Sequence, residues 1–109
     1  MRRMRLAGLL ALVALASCAT PTKFTPEGRT VRTISPVVAQ NCEHLGMSTS
    51  WKPVLAGGLP AAQIDIRNRV AALGGNAMLV VSQQVDPPPY QHAEIMAEAY
   101  RCDFKKPTQ

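Results

Sequence analysis

Nowhere does this sequence hold the run of about 20 apolar residues that a membrane-spanning helix needs; its longest, Leu6 to Ala16, is eleven. It also lacks a C-x-x-C pair, which argues against a thiol-redox motif. No glycine-rich phosphate loop, Ser-His-Asp arrangement or spaced pair of carboxylates is present, so the expectation is a chain that is not an enzyme and holds no cofactor. Aromatic residues are scarce at 5%, and no basic run is interleaved with them. Nucleic-acid binding is therefore not expected, although the isoelectric point is about 9.6. Internal repeats are absent, and Pro87-Pro88-Pro89 is the one biased tract.

What is present begins with Arg2, Arg3 and Arg5, a positive stretch ahead of the short apolar run. Together they fit a secretory signal peptide. The run ends in Leu15-Ala16-Ser17-Cys18, which resembles the lipobox of bacterial lipoproteins: an aliphatic residue, two small residues and the cysteine that takes a diacylglyceryl thioether. Small residues let the extended backbone enter a peptidase cleft, and only a thiol forms the thioether. The expectation is cleavage after residue 17 and acylation of Cys18. Two or three acyl chains, at about 0.8 kcal/mol per buried methylene, anchor such a protein durably. Ala19 stands where an aspartate would retain an enterobacterial lipoprotein at the inner membrane, so the resemblance implies an outer-membrane anchor facing the periplasm.

Removing residues 1–17 from the 109 leaves 92, enough for one small domain. Three of the 12 Lys+Arg leave with them, so nine cations face seven acids and the net charge falls to +2. Cys42 and Cys102 remain, 60 positions apart, in what would be an oxidising compartment. A structural disulfide is the favoured reading; a redox dithiol and a pair of metal ligands compete with it. Residues 18–30 read as a tether with two prolines and no periodicity, with a reach of roughly 40 Å when extended. The domain is expected over 31–104 and a tail over 105–109.

Within the domain, Val31 to Ala39 is rich in β-branched residues with Pro36 inside it, as in an edge or interrupted strand. Gly46 to Lys52 reads as a second strand with polar alternation, and Pro53 to Pro60 as a loop. Pro60 to Leu73 reads as a helix, with Ala62, Ile66, Val70 and Leu73 at core spacing. Gly74-Gly75 closes it, one of the two taking the left-handed conformation. Asn76 to Ser82 is apolar on both faces, as in a central strand. Glu94 to Cys102 alternates, with Ile95, Ala97 and Ala99 on one side. The order β-β-α-β-β gives an α+β fold, a small open sheet with one helix packed on it.

Three stretches together carry a resemblance: Asn41-Cys42 with Leu45-Gly46; Ile66-Arg67-Asn68-Arg69-Val70-Ala71-Ala72-Leu73-Gly74-Gly75-Asn76-Ala77; and Ala99-Tyr100-Arg101-Cys102. They resemble a group of small bacterial lipoproteins of unknown function, similar in fold to the signalling domain of the outer-membrane stress-sensor lipoprotein RcsF. The resemblance spans about Val31 to Cys102 and implies a helix on a small sheet with Cys42 joined to Cys102. The sensor's domain has four cysteines where this one has two, and its proline-rich linker is longer.

Several side chains are candidates for function. His44, His92 and Glu94, with Cys42, contain the donor types of a zinc site. Asp65 and Glu98 read as solvated surface groups. Arg67 and Arg69 flank Asn68 and suit an anionic partner, against the plainer reading of a solvated helix face with Asn68 bonded to backbone. Trp51, the only tryptophan, is either core or an interface anchor. The expectation for function is a non-catalytic envelope lipoprotein that binds a protein partner through Trp51, Arg67 and Arg69, as a sensor-adaptor or structural accessory. The alternative is a small-ligand or metal-binding module built on His44 and His92.

Overall fold

The computed structural model describes residues 21–89 and 91–105. The signal peptide, the lipidation site at Cys18 and Ala19 lie outside them. Two helices and four strands follow one another: β1 (Arg32–Thr33), α1 (Pro36–Ala39), β2 (Glu43–Pro53), α2 (Gly58–Ala72), β3 (Ala77–Val85) and β4 (His92–Arg101), with single 3-10 turns at Gly28–Thr30 and Val54–Ala56. The strands form one open, mixed sheet in the order β1-β3-β4-β2. β1 runs parallel to β3, while β4 is antiparallel to both β3 and β2. One main helix, α2, packs on one face. This is the α+β domain expected from the sequence. Among the described residues no helix is long and apolar enough to cross a membrane.

The core lies between α2 and the inner face of β4. Ala62, Ile66 and Val70 of α2, at i, i+4 and i+8, are fully buried against Ala93, Ile95, Ala97 and Ala99 of β4, at alternate positions. Leu73, expected to continue the apolar row, is 46% exposed because the helix has ended one residue earlier. Val31 to Ala39 also departs from expectation, forming two strand residues and then a helical turn. The Ser35 hydroxyl accepts the Val38 N–H at 3.3 Å, and Pro36 occupies the first turn, where its missing donor is not needed. These two local effects overcome the β preference of Val37 and Val38.

The end of α2 is fastened to the end of β4. Gly74 holds the left-handed position (φ 89°), so it is this glycine whose conformation excludes a side chain. Gly75 is needed for a different reason: a Cβ there would lie 2.9 Å from Val70 Cγ1 and 3.0 Å from the Tyr100 carbonyl. The Arg101 guanidinium donates twice to the Gly74 carbonyl, at 3.1 and 2.6 Å, answering an open acceptor and the negative end of the helix. Asn76 exchanges two 2.8 Å hydrogen bonds with the backbone of Cys102. Cys102 is in turn joined to Cys42 by a disulfide, with Cα atoms 4.6 Å apart.

The chain before Val31 is also attached. Asn68 accepts from the Thr25 N–H at 3.0 Å and donates to the Lys23 carbonyl at 2.8 Å, and Gly28 is buried beside it. The backbone contact is thus made by Asn68, and it holds the segment that leads in from the N-terminus.

The disulfide closes a loop of 60 positions, and restraining the unfolded chain to that extent is worth about 4 kcal/mol. Cys42→Ser is expected to lower the stability to urea denaturation by roughly that amount. An unchanged midpoint and slope would contradict it.

Candidate functional site

The pleat of β2 divides its residues between two environments. Ser50 is fully buried and donates to Asp65 Oδ2 of α2 at 2.6 Å, so it faces the helix. Its neighbour Trp51 must then face away, and is 52% exposed. The same alternation puts Gly46 and Ser48 on the helix side, with Met47 and Thr49 outside. From Gly46 to Trp51 β2 therefore inverts the usual pattern, with small and polar residues inward and the larger apolar ones outward, while Leu45 before them packs against the core.

The inward polar group is satisfied by a small network. Asp65 accepts from Ser50 and, at 2.8 Å, from Arg69 Nε one helical turn on. Burial works against ionisation of Asp65. The Ser50 hydrogen bond, the Arg69 hydrogen bond and charge, and the Lys52 charge together outweigh it and hold the carboxyl below its ordinary value. Asp65 is thus a tie between helix and edge strand, and Arg69 serves it.

On the outer face, Trp51 lies opposite Glu94, Thr49 opposite Met96, Met47 opposite Glu98 and His44 opposite Tyr100. The indole of Trp51 sits 5.0 Å from the His92 ring, and His92 Nε2 lies 2.9 Å from Asp86 Oδ2. Asp86 and His92 are also joined through backbone. One side of the indole is therefore backed by a fixed ring and the other is open. At the far end, His44 packs 5.2 Å from Tyr100 and 3.7 Å from Glu98, and the Tyr100 hydroxyl donates to Glu98 at 3.1 Å. Desolvation, then the hydrogen bond and charge of Glu98, push the Tyr100 phenol up, so it remains a neutral donor. Between these ends Glu94 has no ion-pair or hydrogen-bond partner among the described residues. Past Trp51, at the same end of the sheet, Leu55 is 101% exposed.

The candidate residues do not converge on one place. Trp51 is on the open face of the sheet, and Arg67 and Arg69 are on the helix that covers the other. Arg67 and Arg69 themselves diverge, Arg69 toward β2 and Arg67 toward a groove of about 360 Å³ between α2, β1 and β3. Ile66, Met78, Val80 and Ile95 line the groove, with Thr33, Gln63, Gln83 and Arg67 as its polar members. His44 and His92 are not neighbours either. His44 is opposite Tyr100, eight residues along β4 from His92, which at about 3.3 Å per residue separates them by roughly 26 Å. A shared metal site on the two is excluded by that distance, and Cys42 is consumed in the disulfide. Among the described residues no group of three or more His, Cys, Asp or Glu side chains is placed to hold a metal. Sequence reasoning missed Ser50 and Asp86: neither carries a signal until the sheet face each one occupies is known.

No protein-family model matches the chain, and no curated protein matches it.

The depressed Asp65 carboxyl has a pH signature. Its pKa is lower folded than unfolded, so its stabilisation is complete above the unfolded value near 3.8 and is lost as pH falls through the folded one. Asp65→Asn should therefore melt below the parent protein at pH 7, with the gap closing below about pH 4. A gap independent of pH would assign the loss to packing.

Proposed function

We propose that this protein is a lipid-anchored, non-catalytic module of the bacterial envelope that docks a protein partner on the uncovered face of its sheet, as a sensor-adaptor or structural accessory. The observation that carries the reading is Trp51: a half-exposed indole, braced by His92 and Asp86, on a face with Met47, Met96 and a Glu94 that has no partner among the described residues. Pre-positioned aromatic side chains are the commonest interface anchors, and they lose little rotamer freedom on binding. The partner that suits this face is apolar with a basic group opposite Glu94. Several titratable groups support a non-catalytic role because they are taken up in separate structural contacts: Asp65 with Ser50 and Arg69, His92 with Asp86, Glu98 with Tyr100.

The envelope address rests on the lipobox-like Leu15-Ala16-Ser17-Cys18 and on Ala19, and membership of the RcsF-like lipoproteins on the motifs of α2 and the two cysteines. The motif residues have structural uses that suit such a family: Asn68 holds the incoming chain, and Gly74-Gly75-Asn76 locks the helix end to β4. A second reading, a small-ligand module, draws on the groove beside Arg67, where an apolar floor and one guanidinium suit an amphipathic carboxylate.

The test is in-cell crosslinking of the full chain, with acylation followed by radiolabelled palmitate. Palmitate is expected on the parent and not on Cys18→Ser. One envelope protein should crosslink to the parent and to Arg67→Glu, and be lost from Trp51→Ala and Glu94→Lys. Loss in Arg67→Glu with retention in Trp51→Ala would move the binding surface to the groove and refute the sheet-face reading.

A further inference from the structure

β2 stands at one edge of the sheet, and its outer edge pairs with no other strand among the described residues. From Gly46 to Trp51 it carries neither charge nor proline; Lys52 and Pro53 come only at its end. Open edges of this kind are templates for further pairing, which is why most are blunted along their length. The pattern on this one is complementary to its own reverse.

The bulge at Leu45 produces that complementarity. The register with β4 slips between His44 and Gly46, so the sides alternate correctly again beyond it. Glu43, opposite Arg101, and Lys52, opposite Ala93, both lie on the helix side. His44 and Trp51 both lie on the open side, opposite Tyr100 and Glu94. We propose that two copies of this chain join antiparallel through their β2 edges, about a two-fold axis at Ser48, into one continuous eight-stranded sheet. With Leu45 as the unpaired bulge residue, Met47 then faces Thr49 of the second copy, Gly46 faces Ser50, His44 faces Trp51 and Glu43 faces Lys52. Each pair shares a face, and the two-fold makes every pair twice. The two opposite-charge pairs close the ends of the interface, and an aromatic pair lies just inside each on the open face.

Other registers do less. A slip that moves the axis to Met47 or Thr49 takes Lys52 out of reach of Glu43, and an in-register parallel pairing puts Glu43 beside Glu43. A half-step would set every side chain against the wrong face. The second copy is thus selected by charge and by face together. Both main helices lie on one side of the joined sheet, and the other side becomes a single platform bearing two copies of Trp51.

The experiment uses the full chain in its membrane. Copies labelled with nitrogen-14 and nitrogen-15 are co-expressed or mixed before assembly, then treated with a carbodiimide, which couples a carboxylate to an amine only in direct contact. Mixed-isotope peptides joining Glu43 to Lys52 are expected. Glu43→Lys and Lys52→Glu should each reduce the dimer several-fold, and the double charge-swap variant should restore it, which a folding defect in either single variant would not permit. Absence of mixed-isotope peptides in the parent, or a dimer fraction unchanged by either single reversal, would overturn the proposal. Capture of a different protein by the Trp51 face is read separately.

Discussion

A four-stranded sheet has two faces, and the described residues supply one long helix to cover them. Everything else in the arrangement follows from that shortage. α2 takes the inner face of β4, where Ala93, Ile95, Ala97 and Ala99 are almost wholly buried beneath Ile66 and Val70. The opposite face is left to its own side chains, and β2 adapts by turning its small and polar residues inward. Ser50 can be fully buried because Asp65 accepts its hydroxyl, and the Ser50 and Arg69 contacts more than offset the effect of burial on the Asp65 carboxyl. Three residues thus let an edge strand show its larger apolar groups to the outside.

The other end of the molecule is held more firmly. The disulfide, the Asn76 exchange with Cys102 and the Arg101 cap on Gly74 all meet within a few residues of one another. They fix the ends of α2, β2 and β4 together, so the register of the sheet is set at the end remote from Trp51. One end is thus secured covalently, and the exposed Trp51 lies at the other, braced by the Asp86 and His92 contact.

How much of this could be read from residues alone depended on whether the physics was local. The helix was legible because Ala62, Ile66 and Val70 repeat at four, and β4 because Ile95, Ala97 and Ala99 repeat at two. The pairing of Cys42 with Cys102 was the favoured reading of the two cysteines left once Cys18 is assigned to lipid, with redox and metal-ligand readings still open, and the disulfide is what the structure shows. The helical turn at Pro36 was not legible, since a Ser-Pro cap overrode a β-branched run. The roles of β2's residues were hidden for a deeper reason: alternation shows that two faces differ but not which one the helix covers, and hydrophobicity here points the wrong way. Arg67 and Arg69, adjacent in sequence but for Asn68, were separated only by the helical turn that sends each to a different neighbour.

The claim on which the account turns is that the open sheet face, not the helix face, is where this protein meets its partner. A photocrosslinking amino acid placed at Thr49, on that face, can be compared in living cells with one at Gln63, at the groove on the helix side. The expected result is an adduct with a protein other than this chain from Thr49 and none from Gln63. An adduct from Gln63 alone would contradict it and make the groove the working surface.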